Sequence, residues 1–135
     1  MGSIHTFNVL ILEDDLETLE NILRVLREIE NQKKVAISAT ILPDYEKTEA
    51  YINKNPQIKF DLLLLDKDCF KGGSFHIVDL SNFDLNKVIA ISTTPEYNQK
   101  VLEKGVRISI AKNYSNLSDF SSKLKAEILN IISEE

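Results

Sequence analysis

Phe60-Asp61-Leu62-Leu63-Leu64-Leu65-Asp66 is the stretch that decides the fold. Its four consecutive leucines leave no polar alternation, so neither side of the segment faces water. A short apolar run bounded by polar residues reads as a strand buried on both faces of a helix-covered parallel sheet. The run stops on a carboxylate, Asp66, and open α/β sheets place their ligands at the carboxyl ends of the strands. Val9-Leu10-Ile11-Leu12 has the same form and ends on Glu13-Asp14-Asp15. Two buried strands that deliver acids to one sheet edge suggest a divalent-cation pocket, with one acid a candidate nucleophile.

The rest of the chain alternates strand and helix around these two runs. After the first strand, residues 15–30 form an amphipathic helix whose apolar face is Leu16, Leu19, Ile22, Leu23, Leu26 and Ile29. Residues 35–42 are rich in β-branched side chains and read as a strand. Pro43-Asp44 opens a second helix that runs to about Lys54 and stops at Asn55-Pro56. The third strand covers residues 60–65. Lys71-Gly72-Gly73-Ser74 is a loop, and residues 75–80 form a short, weakly helical piece. Residues 87–92 are a fourth strand. Thr94-Pro95-Glu96 starts another helix, with Gly105 as its C-cap. Residues 106–111 are a fifth strand. Ser115 is the expected N-cap of a last helix with the stripe Leu117, Phe120, Leu124, Ile128 and Ile131. Five βα units with right-handed crossovers predict a doubly wound, flavodoxin-like, five-stranded parallel sheet in a three-layer (βα)5 sandwich. We expect one domain over residues 1–135, with its core at about residues 7–133.

Bulk properties exclude several classes. The 135 residues suit one domain, and 43% hydrophobic with 27% charged residues argue against global disorder. The net charge of −5 disfavours non-specific binding to nucleic acid or anionic lipid. Cys69 is the only cysteine, so no intramolecular disulfide forms and a reducing cytosol is the natural compartment. No apolar run reaches membrane-spanning length, and no signal peptide precedes the first strand. Met1-Gly2 with Thr6 fits the loose myristoylation pattern, which we read as chance or a cloning scar.

The sequence resembles the receiver domains of two-component response regulators, over residues 9–132. Leu10-Ile11-Leu12-Glu13-Asp14-Asp15 matches the acidic motif after the first strand, and Asp61-Leu62-Leu63-Leu64-Leu65-Asp66 the phosphoacceptor strand. Val88-Ile89-Ala90-Ile91-Ser92-Thr93 matches the strand that ends on Ser or Thr. Gly105, then Ile108-Ser109-Ile110-Ala111-Lys112, matches the fifth strand and its lysine. Each motif is weak alone; together, in order and at family spacing, they are a strong signal. The resemblance implies that Asp66 accepts a phosphoryl group, and that Glu13, Asp14, Asp66 and the backbone carbonyl of Asp68 hold Mg²⁺. It implies that Lys112 pairs with Asp66 and then with a phosphoryl oxygen, and that Ser92 hydrogen-bonds another. It implies a phosphoacceptor rather than an enzyme. Its partners would be a sensor histidine kinase or phosphotransfer protein and a downstream protein, with no direct contact to nucleic acid or membrane. The setting would be cytoplasmic. A homodimer through the fourth helix, fifth strand and fifth helix also fits the family.

A lone acidic pair such as Glu13-Asp14 ordinarily just suits the start of a helix, but that leaves Asp66 and Lys112 unexplained. Lys112 alone would be a solvated strand-end charge, and Ser92 alone a turn residue. Asp15 reads best as a helix cap. His5 and His76 read as bystanders, Cys69 as a small loop residue, and Gly72-Gly73 lacks the rest of a phosphate-binding loop.

The chain also departs from the family. Cys69-Phe70 stands where Met-Pro is usual, and Asp68 adds an acid near the acceptor. Asn113 replaces the usual proline after Lys112, which predicts a trans bond there and a shifted start to the last helix. Ser109 occupies the usual aromatic switch position, and Tyr114 is expected to pack beneath the last helix.

Two other functions compete. Leu65-Asp66-Lys67-Asp68 resembles the Asp-x-Asp start of haloacid-dehalogenase-type phosphatases, but here the acidic pair comes first instead of last. A pseudo-receiver that binds without phosphorylation is favoured by the loop changes and Ser109, and disfavoured by retention of all five site positions. The chain ends directly after the last helix, which suggests a stand-alone receiver or a trimmed chain.

Overall fold

The computed structural model describes residues 6–55, 57–66, 84–93, 103 and 105–134. Five strands form one sheet: β1 (Thr6–Leu12), β2 (Ala36–Leu42), β3 (Leu62–Asp66), β4 (Val88–Ser92) and β5 (Ile108–Ala111). Their order is β2-β1-β3-β4-β5, and every neighbouring pair is parallel. This is the doubly wound order expected from the sequence. The leucine run is buried throughout, as is all of β4.

Strand edges differ from expectation for local reasons. β1 begins at Thr6, because it pairs with β2 along its whole length from Thr6↔Ala36 to Leu12↔Leu42. β3 begins two residues late, at Leu62. Its entry is clipped to β1 instead: the Asn8 N–H donates to Asp61 Oδ2 at 2.7 Å, and the Asp61 N–H to the Asn8 carbonyl at 2.8 Å. Asp66 is the last residue of the strand. A 3₁₀ turn (Leu85–Lys87), capped by Asp84, takes the place of the first rung of β4.

Helix α1 (Leu16–Lys33) runs three residues further than predicted and ends where Lys34 adopts a left-handed conformation, φ 54°. Asp15 caps it as expected, accepting from the Thr18 N–H at 2.9 Å and the Thr18 hydroxyl at 2.6 Å. Its buried face is Thr18, Ile22, Val25, Leu26 and Ile29. Leu16 and Leu23, expected on that face, are 79% and 41% exposed. The 3.6-residue period carries the stripe through Val25 instead of Leu23, and Leu16 sits at the first turn, beyond the sheet. Helix α2 (Tyr45–Lys54) is capped by Asp44 and matches the expectation.

The last helix, α3 (Leu117–Glu134), buries Leu117, Phe120, Leu124, Ile128 and Ile131 as expected. Its cap is Asn116, whose side chain accepts the Asp119 N–H at 3.2 Å, rather than Ser115. Ser115 is held by Asn113, whose Oδ1 accepts the Ser115 N–H at 3.0 Å and hydroxyl at 2.7 Å. That Asx turn uses up Ser115 and delays the helix, and the bond after Lys112 is trans.

Helices α1 and α3 cover one face of the sheet, meeting Phe7, Val9, Ile11, Leu62, Leu64, Ile89, Ile91 and Ile110. Tyr51 and Ile52 of α2 pack on the other face, against a cluster holding Leu10, Leu12, Leu63, Leu65 and Ala90. Strand alternation sends odd and even residues of the same run into the two cores, which is why the runs are apolar at every position. Arg107, before β5, ties that edge to the end of α3. It pairs with Glu127, and its Nη1 reaches Glu134 Oε1 at 3.0 Å.

Candidate functional site at the carboxyl edge of the sheet

Register brings the candidate residues together. Leu12 lies beside Leu65, Asp66 beside Ile91, and Ser92 beside Ala111. Glu13, Asp66, Ser92 and Lys112 thus finish four adjacent strands at one edge. All four are buried, between 0% and 2% exposed. The Lys112 N–H donates to the Ser92 carbonyl at 2.9 Å, which fixes the end of β5 to the end of β4.

Lys112 is the hub. Its Nζ lies 3.2 Å from Glu13 Oε1 and 3.2 Å from Asp66 Oδ2. Glu13 Oε2 accepts the N–H groups of Asp14 and Asp15, both at 3.1 Å. The turn between β1 and α1 therefore wraps around its own first acid. Carboxylate oxygens of Glu13, Asp14 and Asp66 all lie within 4.8 Å of one another, with Asp14 half-buried at the mouth.

The charge does not balance. Three carboxylates face one ammonium, and two of the three are buried with it. Burial pushes the Glu13 carboxyl up to about 8, helped by the charge of Asp66 and a hydrogen bond to it; Lys112 and the Asp15 N–H pull the other way. Burial also pulls the Lys112 ammonium down, but Asp66 and Glu13 outweigh this and its pKa ends above the ordinary lysine value. Lys112 therefore stays charged, and Glu13 is the group that yields a charge. The surplus of hard oxygen donors suits a small divalent cation, which would neutralise the excess.

Tyr114 was expected beneath the last helix. Instead its ring, 50% exposed, lies over Lys112, with Nζ 5.3 Å from the ring centroid. The Asx turn at Asn113 directs the chain so that the ring lies over Lys112. The Lys112-Asn113-Tyr114 spacing was the available sequence signal. Asp68, Cys69, Phe70, the Gly72-Gly73 loop, His5, His76 and the residue 75–80 helix lie outside the described residues. So does the predicted helix before Gly105, apart from Glu103, which is helical. Gly105 has φ +99°, a left-handed conformation that suits the expected glycine cap.

No family model matches the chain, and no curated protein matches it. Solved structures do. The phosphorylated cyanobacterial phytochrome response regulator RcpA aligns with 97% of each chain at 19% identity and a TM-score of 0.72. The BeF3-activated N-terminal receiver domain of Klebsiella pneumoniae RstA aligns over 89% of this chain and 97% of its own, at 18% identity and TM-score 0.57. A response regulator receiver protein from Burkholderia phymatum aligns over 90% of this chain and 94% of its own, at 17% identity and TM-score 0.54. The chain has the fold of a response-regulator receiver domain. Among the described residues, no helix is long and apolar enough to cross a membrane.

Proposed function

We propose that the chain is a phosphoacceptor receiver, one domain over residues 1–135 that takes a phosphoryl group on Asp66. The carrying observation is the buried Glu13–Lys112–Asp66 cluster at the carboxyl edge of a receiver-type sheet. A structural carboxylate would be satisfied by one cation; here the edge collects more acid than it neutralises, as a site for a cation and a phosphoryl group requires. RcpA was crystallised phosphorylated and RstA activated with BeF3, which supports the same reading for this chain.

In this reading a carboxylate oxygen of Asp66 attacks the phosphorus of a phosphohistidine. The new O–P bond forms as the P–N bond breaks, and its electron pair leaves with the imidazole nitrogen. Lys112, already charged and held by two carboxylates, turns toward a phosphoryl oxygen. The Ser92 hydroxyl donates to another. Glu13, Asp14, Asp66 and the Asp68 carbonyl would hold Mg²⁺, which supplies charge neutralisation to the transferring group. The partners are then a sensor histidine kinase or phosphotransfer protein and a downstream protein, in the cytoplasm, with no contact to nucleic acid. Ser109 on β5, where the family usually carries an aromatic switch, favours a second reading: an interaction module that works without phosphorylation.

The test is incubation with acetyl phosphate and Mg²⁺ followed by intact mass. A single phosphoryl adduct on the wild type, absent from Asp66→Asn, is expected. Turnover of an added phosphoester would point to an enzyme, and no adduct to the interaction module.

A further inference from the structure

β2 is an edge strand of seven residues, Ala36-Ile37-Ser38-Ala39-Thr40-Ile41-Leu42, with no charge and no proline. Edge strands usually carry such residues as protection against pairing with another chain. The ladder with β1 decides which backbone groups are free. The Glu13 N–H donates to the Leu42 carbonyl at 3.1 Å. In a parallel pair, that bond assigns the N–H and C=O groups of the even residues of β2 to β1. Those of Ile37, Ala39 and Ile41 point outward. The Ile37 N–H behaves accordingly, donating to Glu30 Oε2 at 2.8 Å instead of to a strand. Among the described residues the Ala39 and Ile41 N–H groups donate to no neighbouring side chain or loop, Ala39 is exposed, and Ile41 is 40% exposed.

The strand is self-complementary. A two-fold axis through Ala39 sets Ala39 against Ala39, Ile37 against Ile41, Ser38 against Thr40 and Ala36 against Leu42. Each pair matches in kind: small with small, β-branched apolar with the same, hydroxyl with hydroxyl, apolar with apolar. The same axis pairs the outward backbone groups of Ile37, Ala39 and Ile41 with one another in the antiparallel hydrogen-bonded pattern. The flanks agree. Lys33-Lys34 precedes the strand; exposed Glu46 follows it, with Asp44 buried there as the α2 cap and paired with Lys47. Antiparallel order sets the basic end of one copy beside the acidic end of the other, whereas parallel order would juxtapose like charges.

We propose that β2 is a homodimerisation edge, at which two copies of this chain join antiparallel about Ala39 into one continuous sheet, with Glu30 as a plug on the outermost donor. This interface is independent of Asp66 and of phosphorylation, and it differs from a face built on β5 and α3.

The test is sedimentation equilibrium of the full chain over increasing concentration, without phosphodonor, alongside amide hydrogen exchange. A reversible monomer–dimer equilibrium is expected. The Ala39 and Ile41 amides should exchange fast in dilute protein and about tenfold more slowly in concentrated protein, while Ser38 and Thr40 stay protected in both. Ala39→Pro removes only an outward N–H, which an edge tolerates, and Ile41→Lys places a charge on an exposed position. Each should weaken dimerisation about tenfold or more with unchanged circular dichroism. Glu30→Ala should strengthen it. A wild type that stays monomeric throughout overturns the proposal. So does a dimer that survives both edge variants, or one whose Ala39 and Ile41 amides never slow.

Discussion

Glu13→Gln should stabilise the metal-free protein, and the gain should depend on pH. The wild-type carboxyl titrates near 4.5 in a free chain and near 8 in the fold. Below about 4.5 it is protonated in both states and costs nothing. As pH rises above that value, the unfolded chain releases the proton while the folded chain keeps it, so stability falls. The loss runs at about 1.4 kcal/mol per pH unit and is complete above about pH 8. At neutral pH this amounts to an upper bound of about 3 kcal/mol, and relaxation in a real site brings the expected gain to about 1–2 kcal/mol. Glutamine keeps the geometry of the neutral acid. Its carbonyl can accept the Asp14 and Asp15 N–H groups, and its amide can donate to Asp66, leaving Lys112 paired with Asp66 alone. Urea unfolding in chelator at about pH 5 and about pH 7.5 measures the difference. The variant's advantage should be under about 1 kcal/mol at the lower pH and clearly larger at the higher one. A wild type that is the more stable protein at about pH 7.5, or an advantage that does not change with pH, would refute the reasoning.

Lys112→Met should do the opposite, since it leaves the buried Asp66 carboxylate without its cation; a loss of about 3–5 kcal/mol in urea unfolding is expected, largely recovered when Asp66→Asn is added. Asp14→Asn should leave the apo stability within about 0.5 kcal/mol while weakening Mg²⁺ binding, followed by the Mg²⁺ dependence of the thermal midpoint. Arg107→Ala should cost roughly 1–2 kcal/mol by cutting β5 from the end of α3, without changing the yield of phosphoryl adduct at Asp66. Tyr114→Ala should unfold at nearly the wild-type urea midpoint yet speed hydrolysis of an Asp66 adduct, read by the decay of its intact mass, because water gains access over Lys112.

Much of this was legible because the sheet is parallel and doubly covered. The unbroken apolar runs of the two acid-terminated strands and the helical period of the α3 stripe are both plain in the sequence, and register alone carries Glu13, Asp66, Ser92 and Lys112 to one edge. What the sequence hid was local hydrogen bonding. Asp61 shortens β3 by clipping Asn8, Asn113 takes Ser115 out of capping, and the phase of the helix buries Val25 in place of Leu23. Tyr114 was misplaced for the same reason, since its direction follows from the Asx turn rather than from hydrophobicity. The charge surplus was visible as residue types, but that Lys112 bridges both acids depends on strand order, which no single motif states.

That bridging bears on how such a site could signal. Lys112 is shared between β1 through Glu13 and β3 through Asp66, while its own N–H is bonded to the end of β4 at Ser92. In the proposed reaction, Asp66 becomes a bulkier and more negative group. The ammonium then has a stronger partner on β3 and weakens its hold on Glu13. Glu13 cannot relax into solvent, because the Asp14 and Asp15 N–H groups and its own burial hold it in place. The added charge must be met by a cation at Asp14 or by motion of the strand ends that carry Lys112 and Ser92. Those two residues lead directly into the Asx turn before α3 and into the segment after Thr93. With a serine rather than an aromatic ring at position 109, displacement of these strand ends would be the route by which the proposed chemistry at Asp66 reached the surface.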